Sequence, residues 1–519
     1  MKTIPQEIVV IGAGIGGLCA AIRLAIAGMN VTLVEAAATP GGKMRSLTTL
    51  AGPVDAGPTV LTLRGVFDDL FAAAGERLED HITLVPQPLL ARHWWRDGSQ
   101  LDLFADAAQS AAAIAAFAGP KAEAQFIRFT RQSARLYDAF DAPMMQSARP
   151  DLAGIALNAL RRPDIWPALS SRRTLAQHLA RSFSDPRLRQ LFGRYATYVG
   201  GTPDQSPAVL ALIWHAEAQG VWAVQGGMHL LARALAGLAQ RVGVTLRFGV
   251  AATQILRKSG RVREVVLSDG SAARADAVVF NGDPAALLSG LLGNAAQQAL
   301  APSAANPRSL SAWVWSFAAT PEPFDLAHHN VFFGSDPMLE FGPLSGGRMP
   351  DEATLYVCAQ DRGQQGPAPT GPERFEIIMN APAKTSIFPN EAAECRAKTF
   401  PQLASFGLSF DLEPSDQALM TPQGFATLFP GSQGAIYGRS PHGQMASFHR
   451  PGARTRLPGL YLAGGGAHPG AGVPMAALSG KHAAEAIQTD LTSALPWHQT
   501  AMRGGMSMVS RLTGRVPSR

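Results

Sequence analysis

The fold is decided close to the amino terminus, where residues 7–35 read EIVVIGAGIGGLCAAIRLAIAGMNVTLVE. The first five of these residues are mostly β-branched, as in a buried parallel strand. They lead into a G-x-G-x-x-G turn formed by Gly12, Gly14 and Gly17. An alanine-rich helix follows, which Gly28 is placed to terminate, and a second strand-like run ends at Glu35. The stretch therefore predicts strand, glycine turn, helix and strand of a parallel α/β sheet.

Each part of this unit suits a bound dinucleotide. Gly12 permits the tight turn, Gly14 lets backbone amides approach a pyrophosphate, and Gly17 lets the helix pack on the strand. The helix start offers free N–H groups and a positive dipole end to the phosphates. Glu35, eighteen residues after Gly17, can accept hydrogen bonds from the adenosine ribose. We therefore predict a dinucleotide site that includes Gly16, with a purely structural glycine turn as the alternative.

A second glycine segment indicates that the bound dinucleotide is a flavin nucleotide and not a nicotinamide nucleotide. The doublet Gly41-Gly42 comes soon after Glu35, and the segment DAGPT follows at 55–59. This stretch resembles the second fingerprint of the amine-oxidase-like FAD enzymes. The resemblance implies that it lies along the pyrophosphate and ribityl chain, with binding residues Gly42, Lys43 and Arg45. An ordinary glycine-rich turn is the alternative.

A third glycine segment lies near the other end of the chain, where residues 457–475 read LPGLYLAGGGAHPGAGVPM. A buried strand is predicted over 460–463 and a helix from Pro474, a position where the missing N–H of proline costs nothing. That helix would direct its positive end at the pyrimidine edge of a flavin. From Gly459 through Ser479 the segment resembles the signature of bacterial carotenoid (phytoene-type) desaturases. The resemblance implies FAD contacts from Gly464, Gly465, Val473 and Met475.

The resemblance covers essentially the whole chain and implies an α/β fold. The implied fold comprises a two-part Rossmann-type FAD-binding domain of the amine-oxidase/desaturase kind and a discontinuous α+β substrate domain facing the membrane. The FAD-binding domain is predicted to comprise residues 1–75, 225–300 and 450–490, with Ala252 contacting adenine through its backbone. The substrate domain is predicted to comprise residues 76–224 and 301–449, and residues 491–519 to form a basic tail. Glycine turns from both chain ends should then meet around one FAD.

Within the family, three stretches look like the 1-hydroxycarotenoid 3,4-desaturases (methoxyneurosporene dehydrogenases) of purple bacteria. They are DAGPTV at 55–60 followed by the run through LFAAAG at 70–75, YATYVGG at 195–201 and GVWAVQGGM at 220–228. The resemblance implies removal of two hydrogens from C3 and C4 of an acyclic 1-hydroxy or 1-methoxy carotenoid, with hydride transfer to flavin N5. Because the polyene delocalises the developing cation, positioning matters more than acid–base help. The electron acceptor, a quinone or oxygen, is left open.

Few residues qualify as the proton acceptor. His468 lies inside the carboxy-terminal signature, and His215 and Glu217 precede the third of the stretches above. A structural role is the alternative for each. Six tryptophans are candidates to line a polyene tunnel, with an ordinary core position as the alternative. They are Trp94, Trp95, Trp214, Trp222, Trp313 and Trp315.

Composition narrows the class of protein. The chain has 519 residues, of which 46% are hydrophobic and 16% charged, as in a globular protein of two or more domains. Its three cysteines are widely separated, so neither a disulfide framework nor a metal site is expected. No stretch has the layout of a secretory signal or a membrane span.

Because a carotene dissolves only in the bilayer, we expect a peripheral or monotopic protein at the cytoplasmic side of the inner or intracytoplasmic membrane. Between residues 121 and 200, thirteen Lys and Arg stand against six Asp and Glu, a difference of +7. Such charge attracts anionic lipid, and no recognition motif points to nucleic acid. The first candidate for docking is IALNALRRPDIWPAL at 155–169, with a packed helix pair as the alternative.

Other functions fit the same fold. A phytoene desaturase, a carotenoid isomerase and an amine oxidase all keep the FAD site and change the reaction. A non-catalytic isoprenoid carrier similar to the Rab GDP-dissociation inhibitors would bind no flavin. The nearly complete FAD fingerprints at both ends of the chain argue against that carrier.

Overall fold

A computed structural model describes residues 6–166, 173–364, 369–383 and 390–493. Its first layer is a five-stranded sheet in which all neighbours are parallel. The strand order is Leu460–Leu462, Ala277–Phe280, Glu7–Ile11, Asn30–Glu35 and Thr245–Phe248. The amino-terminal strand is thus central, and strands from both ends of the chain share one sheet. The predicted α/β class is confirmed.

The two faces of this parallel sheet are covered differently. Ile8 and Val10 pack against helices on one face, and the alternate residue Val9 packs on the other. The helices of the first face are Ile15–Ile26, Gly65–Ala73, His229–Arg241 and Val473–Ser493. The opposite face carries an antiparallel sheet of Ala252–Lys258, Arg261–Leu267 and Ala272–Arg274. Pro284–Leu288 and Asn294–Gln297 are short helices of the same layer.

A second, seven-stranded sheet supplies the other large core. In spatial order its strands are Leu419–Met420, Ser311–Ala319, Glu373–Ala381, Leu355–Ala359, His329–Phe332, Leu89–Trp94 and Gln100–Phe104. Only the pair His329–Phe332 and Leu89–Trp94 is parallel. Two small antiparallel pairs complete the described strands, Ser46–Thr49 with Gly52–Asp55 and Leu84–Pro86 with Trp222–Val224.

Helices surround this second sheet. They are Ala107–Ala118, Pro120–Phe140, Leu152–Leu160, Leu175–Ser182, Pro186–Gly193, Leu212–Ala218, Met338–Ser345, Glu391–Ser405 and Pro422–Leu428. In Pro120–Phe140, apolar side chains recur at helical spacing and are buried among rings such as Phe192 and Trp214. Trp214, Trp313 and Trp315 each expose less than 2% of their surface, so these three belong to the core.

Some predicted features fall outside the described part of the chain. Residues 494–519 of the basic tail and residues 167–169 of the docking candidate are among them. Among the residues that are described, no helix combines the length and the apolar character required to cross a bilayer.

Candidate nucleotide-binding site

The first glycine turn joins the central strand to the helix Ile15–Ile26. Gly12 has a φ of +102°, a conformation that side chains disfavour, and Gly14 occupies the N-cap position. No side chain caps the helix, so its first N–H groups are available to a ligand. A Cβ atom on Gly17 would lie 2.1 Å from the Gly12 carbonyl oxygen, which explains the glycine there.

The glycine segments from opposite ends of the chain touch each other, as predicted. A Cβ atom on Gly16 would lie 2.5 Å from the amide nitrogen of Gly464. A Cβ atom on Gly480 would lie 2.3 Å from the carbonyl oxygen of Gly16. The first helix and the helix Val473–Ser493 therefore cross at a point where only glycine fits.

Asn281 lies between the two glycine segments. It follows the strand Ala277–Phe280, and its Nδ2 donates to the Gly12 carbonyl over 3.1 Å. Its Oδ1 is buried without a hydrogen-bond partner, which is costly unless a ligand supplies a donor. Sequence reasoning missed this residue, although a polar residue at the carboxyl end of a buried parallel strand was a usable signal.

Glu35 ends its strand beside the first turn. Its Oε2 accepts from the Ala13 amide at 2.6 Å and its Oε1 from the Ala37 amide at 2.8 Å. The Val250 amide donates to the Glu35 carbonyl over 2.9 Å, which brings the chain before Ala252 alongside the acid. Ala252 itself begins an edge strand and is half-buried. This arrangement fits the predicted adenosine end of the site.

The second glycine segment packs on the first. The Gly41 amide donates to the Ala13 carbonyl over 2.9 Å, and a Cβ atom on Gly42 would lie 3.3 Å from the Gly14 Cα. Positive φ values of 118° and 59° at the doublet make this close approach possible. The backbone of this segment therefore lines the same cradle.

Lys43 points to a different part of the chain. Its Nζ donates to the Ile436 carbonyl over 2.5 Å and lies 5.6 Å from the centre of the Phe429 ring. Burial lowers its pKa to about 8, with Arg308 and Arg450 lowering it further and Asp283 opposing them. The structure thus places Lys43 in a group of partly or fully buried cations.

Arg45 faces a carboxylate from the seven-stranded sheet. Its Nε and Nη2 are buried without partners, and the carboxylate oxygens of Glu376 likewise lack one. Burial raises the pKa of Glu376, with Asp55 raising it further and Arg45 opposing the shift. Burial likewise lowers the pKa of Arg45. Unsatisfied polar groups on facing elements are typical of a site whose ligand satisfies them.

The carboxy-terminal turn is held by its own helix. Gly464 has a φ of +95°, and its amide donates to Ser479 Oγ over 2.7 Å. The Gly465 carbonyl accepts from Arg450 Nη1 over 2.8 Å. The helix begins at Val473, which is buried, and Met475 in its first turn is half-buried. Neither Ser479 nor Arg450 was predicted as a site residue, because each acts through a hydrogen bond across a turn.

His468 occupies a structural position. Its Nε2 lies 3.0 Å from the Ser147 carbonyl, and its ring stacks on that of His482 at 6.0 Å. A carbonyl only accepts, so Nε2 carries the proton, and burial lowers the pKa of the ring. The other two candidates are also bonded: His215 pairs with the Gln219 amide, and Glu217 accepts from the Tyr195 hydroxyl over 2.8 Å. The structure shows no dyad that joins any two of these three.

The residues of the cradle fit a flavin dinucleotide. Its glycines exclude side chains from the path between the turns, and the orphaned atoms of Asn281 and Arg45 border it. The first helix directs its uncapped end at the same space, and Glu35 accepts hydrogen bonds at the opposite end.

Known proteins agree with this geometry. The sequence profile of flavin-containing amine oxidoreductases matches residues 15–488. A hydroxyneurosporene desaturase of Cereibacter sphaeroides is 61% identical over 493 residues, which are 95% of this chain and 99% of that protein. Its counterpart in Rhodobacter capsulatus is 57% identical over 94% of this chain and 99% of its own. The crystal structure of an oxidoreductase from Methanosarcina mazei superimposes with a TM-score of 0.57 at 18% identity, covering 92% of this chain and 100% of the other. That last likeness shows the fold alone.

Proposed function

The chain belongs to the family of flavin-containing amine oxidoreductases, and from this premise we propose that it is an FAD-dependent carotenoid desaturase. Its substrates are acyclic carotenoids with a hydroxyl or methoxyl group at C1, into which it introduces the C3–C4 double bond. The observation that carries this proposal is the 61% identity, over nearly the full length of both chains, with a hydroxyneurosporene desaturase.

The flavin, when bound, supplies the acceptor for a hydride from the allylic carbon of the substrate. The chain's own residues hold and orient that cofactor. The glycine turns would let backbone N–H groups approach it, and Glu35, beside the first turn, would bind the adenosine end. The helix that begins at Val473 directs the positive end of its dipole at the site, where negative charge is stabilised.

The proton leaves a carbon whose acidity grows as the polyene loses its hydride, so no strong base is required. This agrees with the hydrogen-bonded, structural settings of His468, His215 and Glu217. Positioning and exclusion of water are then the main tasks of the protein.

A direct test uses the flavin-loaded protein in lipid vesicles without oxygen. We expect 1-hydroxyneurosporene to bleach the flavin and to give a product with absorption at longer wavelength. Phytoene, neurosporene and a simple amine serve as competing substrates in parallel samples. Preference for phytoene would favour a phytoene desaturase, a change of geometry without flavin reduction would favour an isomerase, and flavin reduction by the amine alone would favour an amine oxidase.

The isoprenoid-carrier alternative is not supported by the relatives, which are named as desaturases. It predicts a protein that purifies without flavin absorption. Reoxidation of the bleached sample by a quinone or by oxygen then identifies the electron acceptor.

We further propose that the helix Leu152–Leu160 docks on the surface of the membrane from the cytoplasmic side. None of its residues is buried, and Leu157 and Leu160 expose 50% and 69% of their surface. Trp166, 52% exposed, lies beside them and donates to the Ala159 carbonyl over 2.8 Å. An exposed apolar patch next to paired arginines suits the interface of an anionic bilayer.

Docking is tested with vesicles that contain anionic lipid. The double variant Leu157→Glu/Leu160→Glu is expected to sediment with them at least tenfold less than the unmodified chain, because each carboxylate would have to enter the interface. Leu412→Glu, at another leucine that is 68% exposed, is the matched control and should bind normally. Equal binding of all three proteins would contradict the docking surface.

A further inference from the structure

Three buried side chains, two on the seven-stranded sheet and one just before a strand of it, bring their ligand atoms together. Among the described residues, His328, His329 and Cys358 form one group whose donor atoms lie within 4.8 Å of one another. His329 and Cys358 are directly paired across two antiparallel strands, so their side chains project to the same face. The three residues expose at most 6% of their surface. They belong to no part of the nucleotide cradle described above.

From this geometry we infer that His328, His329 and Cys358 bind a zinc ion. Imidazole nitrogen and thiolate sulfur are the ligands that zinc prefers, at about 2.0–2.1 Å and 2.3 Å respectively. A tetrahedral ion at those distances separates sulfur from nitrogen by roughly 3.5 Å. The Cys358 Sγ and the His328 Nε2 lie 3.7 Å apart.

Hydrogen bonds orient His328 for this role. Its Nδ1 lies 2.6 Å from the Arg362 carbonyl, which only accepts, so Nδ1 carries the proton. The lone pair of the neutral ring is therefore on Nε2, the atom that faces Cys358. Metal-bound histidines commonly donate their other N–H to such a carbonyl.

His329 has one ring nitrogen without a hydrogen-bond partner. Its Nδ1 is bonded to the Tyr356 hydroxyl at 2.7 Å, and that hydroxyl is bonded in turn to Thr59. Its Nε2 is buried and has no hydrogen-bond partner. A buried nitrogen without a partner is destabilising unless a ligand satisfies it, and a metal ion does so.

A cavity beside the triad provides the fourth position. It is lined by His328 and Cys358 together with Asp55, Thr59 and Gln364. The Oε1 of Gln364 is buried and has no partner, so it is available as an oxygen ligand. Three protein ligands and one adaptable position are a common arrangement for zinc.

The surrounding charges are mixed in sign. Asp55 and Glu376 lie near Cys358, and Asp361 lies near His328. Arg194 acts on His329 and Arg374 on His328 with positive charge. Zinc requires the thiolate form of Cys358, and direct ligation by that thiolate offsets part of the cost of burying a divalent cation.

Elemental analysis of the full chain, purified without chelator and without an affinity tag, tests the inference. We expect about one zinc per chain, falling to background in Cys358→Ser and in His329→Gln. Cys395→Ser, at another buried cysteine, is the matched control and should keep its zinc. Zinc at background in the unmodified chain, or unchanged in Cys358→Ser, overturns the site. Copper at one per chain overturns the choice of metal.

Cobalt substitution gives a readout that does not depend on folding of a variant. Cobalt in the unmodified chain should show a thiolate-to-metal charge-transfer band and the visible bands of a tetrahedral ion. Absence of the thiolate band would contradict ligation by Cys358. Flavin absorption, measured on the same samples, reports the nucleotide cradle separately, so failure of the zinc site and failure of the proposed function are distinguishable.

Discussion

At the scale of single residues, Gly16 carries the closest contact between the two ends of the chain. Gly16→Ala would place a Cβ atom 2.5 Å from the Gly464 backbone, which has no freedom to move aside. We expect the affinity for FAD to fall roughly 5- to 150-fold, from an overpacking cost of about 1–3 kcal/mol. The fraction of flavin that stays bound to the protein after gel filtration measures this loss of affinity.

A matched control is Gly237→Ala. A Cβ atom there would meet only the flexible end of Arg241, and the residue lies in the middle of a helix. Alanine is the better helix former, so this variant should keep its flavin. Loss of flavin in both variants would show that the effect is not local to the cradle.

His93 predicts a dependence of stability on pH. Burial lowers its pKa from the ordinary 6.5 to about 3, and Arg194 lowers it further. Between about pH 6.5 and pH 3 the unfolded chain therefore binds a proton at this residue that the native chain does not. The free energy of unfolding decreases as the pH falls through this range. The full contribution is present above about pH 6.5, and the loss is roughly 1.4 kcal/mol per pH unit below it.

The variant His93→Gln removes the proton and keeps a donor for the Leu101 carbonyl, which His93 Nδ1 contacts at 3.1 Å. The thermal midpoints of both proteins are measured from pH 8 to pH 4. Above pH 7 the difference between the two midpoints should stay constant, and below it the two curves should converge or cross. Parallel curves over the whole range would refute a neutral, buried His93.

At the scale of elements, the crossing of the first and last helices is the critical contact. Gly480→Ala would bring a Cβ atom within 2.3 Å of the Gly16 carbonyl and 2.9 Å of the Ala20 amide. We expect the free energy of unfolding to fall by about 1–3 kcal/mol, because neither backbone can yield. Gln488→Ala, on the same helix and only half-buried, should change it by less than about 0.5 kcal/mol. Urea denaturation followed by circular dichroism compares the two.

The strands show what local sequence patterns predict and what they do not. The β-branched runs at 7–11 and 30–35 form strands as predicted, because buried parallel strands demand such residues. The long strand Ser311–Ala319 is also found where its apolar run indicates one. Its neighbours in the sheet were not predictable, since pairing joins residues far apart in sequence.

At the scale of the whole molecule, the nucleotide site is built from segments of both chain ends and the middle. A ligand that binds only the native state stabilises it, by about 2.7 kcal/mol at one hundred times its dissociation constant. Adding FAD to the flavin-free protein should therefore raise the thermal midpoint in a concentration-dependent way. FMN, which lacks the adenosine end that Glu35 is predicted to bind, should raise it less. Equal shifts would contradict a role for the first turn and Glu35.

The sequence by itself determined the α/β class, the three glycine segments and the family. These follow from local properties: the period of apolar residues, the φ values that only glycine adopts easily, and a long contiguous signature. The predicted domain boundaries and cofactor contacts stay predictions, although the glycine segments they depend on do meet.

Only the tertiary structure decided which side chains face one another. Asn281 lies against Gly12, Glu376 faces Arg45, and His329 pairs with Cys358, each from distant parts of the chain. The widely spaced cysteines gave no reason to expect a metal, because ligands on neighbouring strands have no characteristic spacing. These contacts between distant residues are determined by the register of the sheets and by the crossing of the helices. Both depend on the packing of the whole core rather than on local sequence pattern.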